Sequence, residues 1–138
     1  MLIINVPLGE KNQLNPDRLE ELFYLQEQLM LEYKKNKSDD LPVWPVDITD
    51  KASQRFCRDI TLRSVEELFE ALAHLKNWKK HKKTEVKTFN RNEFLEEIVD
   101  SVHYLLELLV LCGITSDELY NAYCNKNKIN QDRLRNGY

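Results

Sequence analysis

Glycine and proline are scarce in this chain, three and four among 138 residues, and neither occurs from Val46 to Cys112. A sheet of several strands needs turn residues that supply a positive φ or a fixed bend, so a stretch of that length without them argues for helices. An excess of one charge sign is missing too, with 20 Lys and Arg against 23 Asp and Glu. That balance excludes the cationic surplus of a nucleic-acid binder, and 42% apolar residues are too many for a disordered chain. No apolar run approaches the roughly 20 residues that span a bilayer. The N-terminal Met-Leu-Ile-Ile-Asn-Val has no basic leader, so neither membrane nor export is expected, and the expected location is the cytosol. Cys57, Cys112 and Cys124 are odd in number, widely spaced and without a Cys-x-x-Cys pair, which argues against a disulfide framework or a zinc knuckle. Size suggests a single domain over 1–138, in which 1–15 form an extension of unassigned role.

The periodicity predicts an all-α bundle of four to five helices. Asn15 as cap, Pro16 at the first helical position and Asp17, Glu20 and Glu21 in the first turn open the first helix. Its apolar stripe is Leu19, Leu22, Phe23, Leu29, Met30 and Tyr33, with Gln26 inside it. An extended connection through Pro42, Trp44 and Pro45 follows, because residues before proline avoid the α region. A second helical region is expected from about Asp47–Asp50 to Lys80, with a possible break at Arg58–Arg63 and an apolar face of Val65, Leu68, Phe69, Leu72 and Leu75. A lysine-rich loop comes next, and then a helix capped by Asn90 that ends before Gly113. Its apolar residues, from Phe94 to Leu109, cover more than one face and make it the expected centre of the bundle. Thr115-x-x-Glu118 is a capping-box signature for a fourth helix.

Two acidic pairs interrupt these apolar helices: Glu67 with Glu70, and Glu97 with Asp100. Residues three apart share a helix face. If the two helices pack antiparallel, four carboxylates converge on one volume and repel one another unless a cation sits between them. An all-oxygen site suits Mg²⁺, or Mn²⁺, rather than zinc. A solvated acidic helix face is the plain alternative. Lys126, Asn130 and Arg133 share one face near the C-terminus, where the two cations could hold phosphate oxygens.

Glu66-Glu67-x-x-Glu70, followed after 26 residues by Glu97-x-x-Asp100, resembles the signature of the all-α nucleoside triphosphate pyrophosphatases, the MazG and dimeric dUTPase superfamily. Asp100-Ser-Val-His103-Tyr104 is similar to the Asp-x-x-His-Phe run of dimeric dUTPases. The tail Lys126-Asn127-x-x-Asn130-x-x-Arg133, ending at Gly137-Tyr138, is similar to their phosphate-binding end, and Leu25-Gln26 to the position that reads uracil. The resemblance implies Mg²⁺-dependent hydrolysis of a nucleoside triphosphate, with dUTP the expected substrate and dCTP or another nucleotide the alternative. Glu67, Glu70, Glu97 and Asp100 would hold the metal and do the catalysis. Gln26, Lys79, His103, Lys126, Asn130, Arg133 and Tyr138 would bind substrate. Gln26 could equally be a core amide, His103 a structural histidine, and Trp44 and Trp78 pocket walls or core, with core favoured for Trp78. Dimeric dUTPases are often longer, and a short four-helix unit leaves apolar surface uncovered. A homodimer or homotetramer with residues of two chains in each site is therefore expected. Two other classes compete: a di-iron or di-manganese bundle, for which Asp100-x-x-His103 and His74 supply half a motif, and a helical module without catalysis.

Overall fold

The computed structural model describes residues 17–36 and 40–137, which form four helices and no strand. The all-α expectation holds. Helix α1 spans Arg18–Lys35, α2 Lys51–Leu72, α3 Arg91–Leu111 and α4 Ser116–Asn136. Helix α3 packs against both α1 and α2, and α4 packs on α1. No single helix among the described residues is long and apolar enough to cross a membrane.

Local chemistry sets the helix ends. The cap of α1 is Asp17, whose carboxylate accepts from the backbone N–H of Leu19 and Glu20, rather than Asn15; Asn15 and Pro16 lie outside the described residues. Asp50 caps α2 and Asn90 caps α3, each accepting from the backbone N–H three residues on. Thr115 and Glu118 form the reciprocal box that their spacing predicts. Gly113, with φ 71°, follows α3 in the left-handed region, and a Cβ added there would stand 2.9 Å from the Pro45 side chain.

Helix α2 departs from its sequence pattern in three ways. It ends at Leu72, short of Lys80, because the Asn77 side chain instead binds both backbone groups of Val86, at 2.8 and 2.9 Å, and closes the lysine-rich loop. It runs unbroken through Arg58–Arg63, where the Thr61 hydroxyl donates to the Cys57 carbonyl and Arg63 pairs with Asp59 at 3.1 Å. Its apolar stripe also faces outward. Val65, Leu68, Phe69, Leu72 and Leu75 are all exposed, while Cys57, Ile60 and Ala71 are buried and Ser64 and Glu67 half-buried.

The α2–α3 seam is thus built of small and polar side chains, and the pair runs antiparallel. Cys57 meets Cys112 at one end, Ser64 lies 2.8 Å from Ser101 in the middle, and His74 stands edge-on to Phe94 at the other. Small residues at the crossing allow the two backbones to approach closely. The apolar core sits beside the Cys57 end, where Met30, Leu41, Ile60 and Leu111 are buried and Trp44, Phe56, Tyr104 and Leu108 close around them. Fully burying one such side chain contributes about 1.5–3 kcal/mol. The connection before α2 is tied to this core, since Val46 N–H donates to the Leu111 carbonyl at 2.8 Å.

Candidate functional site

Antiparallel packing of α2 and α3 brings the acidic pairs together. Glu67 lies three residues, about one turn, after Ser64 on the α3-facing side of α2, and Glu97 and Asp100 sit about one turn apart on α3. Carboxylate oxygens of Glu67, Glu70 and Glu97 lie within 4.8 Å of one another. Glu67, Glu97 and Asp100 are half-buried and Glu70 is exposed, so the cluster is open to solvent on one side.

The electrostatics follow from the crowding. Burial raises the Glu67 carboxyl above its ordinary range, and the neighbouring charges of Glu70, Asp100 and Glu97 push it further. Burial likewise raises Glu97, reinforced by hydrogen bonding and charge repulsion from Glu70 and by Asp100, with His74 acting in the opposite sense. His74 Nε2 stands 3.9 Å from Glu97 Oε1. Carboxylates that hold their protons too long because of one another are a site that gains from a cation. The donors are almost all oxygen with a single imidazole at the edge, a set that fits Mg²⁺ or Mn²⁺.

Glu67 and Asp100 also line a cleft of about 350 Å³, together with Gln26, Leu29, Tyr33, His103, Tyr104 and Glu107. That volume lies within the range of small-molecule sites. At its wall, Nδ1 of His103 lies 2.8 Å from Oε1 of the buried Gln26. With Oε1 of Gln26 accepting, Nδ1 is the donor, so the neutral ring would present Nε2 as an acceptor while the Gln26 amide N–H groups stay donors. Burial raises the Tyr104 hydroxyl above its usual range, an effect that Arg63 opposes.

The other expected site residues lie elsewhere. Lys79 is in the loop after α2 with its ammonium 5.2 Å from the centre of the Trp78 ring. Trp78 is 71% exposed rather than core, because the helix that would have buried it stops at Leu72. Trp44 packs on the apolar core and donates from its indole to Glu27. Lys126, Asn130 and Arg133 share the exposed surface of α4, which has no buried residue. Among the described residues, none of these lines the cleft. Tyr138 lies outside the described residues.

Sequence reasoning missed Glu107 and Tyr33. Glu107 is 3% exposed, although it interrupts the apolar run Leu105-Leu106-Glu107-Leu108-Leu109. Its position one turn after His103 and two after Asp100 is the signal that would have placed it on the cleft face.

A family model described as dUTPase matches residues 105–138. The matched stretch contains Glu107 and the Lys126, Asn130 and Arg133 face, and begins after Glu67, Glu70, Glu97 and Asp100. No curated protein and no solved structure matches the chain.

Proposed function

We propose that the protein is a Mg²⁺-dependent nucleoside triphosphate pyrophosphatase that converts dUTP to dUMP and pyrophosphate. The observation that carries the reading is the convergence of Glu67, Glu70 and Glu97 within 4.8 Å beside a cleft walled by Gln26 and His103. The dUTPase match over residues 105–138 supports the same class from a different part of the chain.

Glu67, Glu70, Glu97 and Asp100 would hold the metal, which supplies the positive charge that a triphosphate requires and the Lewis acidity for hydrolysis. In the reaction a water oxygen bonds to the α-phosphorus, the bond from that phosphorus to the bridging oxygen breaks, and pyrophosphate leaves. A carboxylate of the cluster takes the proton of the attacking water. Glu67, which belongs to both the cluster and the cleft, and Asp100 in the cleft wall would hold the metal where its charge positions the α-phosphate relative to the base.

The Gln26–His103 pair favours uracil over cytosine. An amide N–H of Gln26 can donate to a uracil carbonyl while Nε2 of His103 accepts the ring N3–H. Cytosine has no proton at N3 and would leave that acceptor unmatched, a loss of affinity that discriminates against it several-fold or more.

Phosphate binding would be completed by a second copy of the chain. The exposed α2 stripe of Val65, Leu68, Phe69 and Leu72 is a contiguous apolar face suited to an interface. Lys126, Asn130 and Arg133 on the exposed α4 are the groups a partner would bring to the triphosphate, with Lys79 and Tyr138 as further contacts.

The decisive experiment is a screen of purified protein with Mg²⁺ against all dNTPs and NTPs, reading pyrophosphate. Release from dUTP at the highest kcat/KM is expected. Preference for dCTP would move the protein to the MazG-like reading, and no release from any nucleotide would end the pyrophosphatase reading. Bound iron with oxidase activity would instead favour a di-iron bundle.

A further inference from the structure

We propose that Cys57 and Cys112 form an oxidisable dithiol, a site at which a small-molecule disulfide converts the two thiols into an intrachain disulfide tying α2 to the end of α3. Their sulfur atoms lie 4.0 Å apart although 55 positions separate them in the sequence. A disulfide bond is about 2.05 Å long, so the sulfurs must close by roughly 2 Å.

The surroundings hold this pair in place. Cys57 lies within α2 one turn before Ile60, and Cys112 is the C-cap of α3, where its N–H donates to the Leu108 carbonyl at 3.1 Å. Cys57 is 6% exposed, Cys112 is half-buried and Cys124 is fully on the surface of α4. Burial pushes the Cys57 thiol up to about 11, with further upward contributions from Cys112. The oxidant therefore meets Cys112 first.

The chemistry balances in two exchanges. The Cys112 thiolate attacks the small disulfide, forming a mixed disulfide and releasing one small thiol. Cys57 then gives up its proton and attacks the Cys112 sulfur, releasing the second small thiol and leaving the Cys57–Cys112 bond. Two protein thiols are oxidised and one small-molecule disulfide is reduced.

The bond would close a long loop that contains both acidic pairs, since Glu67, Glu70, Glu97 and Asp100 all fall between the two cysteines. Constraint of the unfolded chain by such a loop raises Tm by roughly 10 °C. The inference rests on this pair alone and is independent of the reaction proposed above.

The test uses the full chain carrying Cys124→Ser, so that the exposed thiol cannot link two molecules. The protein is incubated with oxidised glutathione, unfolded, alkylated and mapped by mass spectrometry. Loss of two hydrogens, a linked pair of peptides containing Cys57 and Cys112, reversal by dithiothreitol and a higher Tm are expected. Adding Cys57→Ser should leave glutathione on Cys112, because the resolving thiol is gone. Full alkylation of both cysteines after oxidation, a glutathione adduct that persists on Cys112 while Cys57 is present, or a lowered Tm would overturn the proposal.

Discussion

Gln26 and His103, on α1 and α3, meet through a 2.8 Å contact between Oε1 and Nδ1. The contact joins a buried amide to an imidazole at the wall of the cleft, the pair proposed above to read the base. Gln26→Ala removes both the donors and the constraint on the ring. We expect KM for dUTP to rise about 10-fold, with kcat changed much less, and the preference over dCTP to shrink. Unaltered KM and unaltered preference would show that the pair is structural.

Removing one member of the acidic cluster should act on rate. Glu97→Gln keeps the size of the side chain but loses a charge, and activity at saturating Mg²⁺ is expected to fall at least about 100-fold. Glu93→Gln, one turn earlier in the first turn of α3 and outside the cluster, should behave as the wild type. Equal activity in both variants would remove Glu97 from the site.

The pH dependence of stability follows from the raised carboxyls. In the folded protein Glu67 and Glu97 keep their protons to higher pH than in the unfolded chain, whose ordinary value is 4.5. The folded state then binds more protons, so this contribution favours folding at acid pH and is lost as pH rises through the raised folded values. In EDTA, Glu67→Gln should therefore melt a few degrees above wild type at neutral pH, and the gap should close toward about pH 4. Added Mg²⁺ should raise the wild-type Tm and not that of the variant. Thermal melts that show no gap in EDTA would contradict the repulsion argument.

The outward face of α2 predicts an assembly. Phe69 is 65% exposed in the middle of the stripe Val65, Leu68 and Leu72. Phe69→Glu places a charge where a partner's apolar surface would press, and should convert the wild-type oligomer to a monomer on size-exclusion chromatography with light scattering. Helix content by circular dichroism should persist while activity falls at least about 10-fold. A wild-type protein that is monomeric and fully active would defeat the two-chain site.

Much of the fold was legible from local rules. The scarcity of glycine and proline, the Asn90 cap and the Thr115–Glu118 box place α3 and α4 to within a residue or so, because capping and helical periodicity act over one or two turns. The acidic pairs were legible for the same reason: Glu67 with Glu70 and Glu97 with Asp100 share a face of any helix that contains them.

Which face of α2 turns inward was not a local matter. Its most apolar stripe would be buried if hydrophobicity alone decided. It stays outside because Cys57, Ser64 and Ala71 allow close approach to Ser101 and Cys112 on α3, and that crossing carries Glu67 toward Glu97. The end of α2 was likewise settled by Asn77 gripping Val86, which exposed Trp78.

By itself the sequence determined an all-helical chain, the Asn90 and Thr115 caps and two acidic pairs, since each depends on residues within a turn or two of one another. Only the tertiary structure decided that the pairs meet, that Gln26 faces His103, that Glu107 is buried in the cleft and that Cys57 touches Cys112. Those relationships depend on how α1, α2 and α3 cross, and crossing is fixed by the fit of side chains from distant segments rather than by any spacing along the chain.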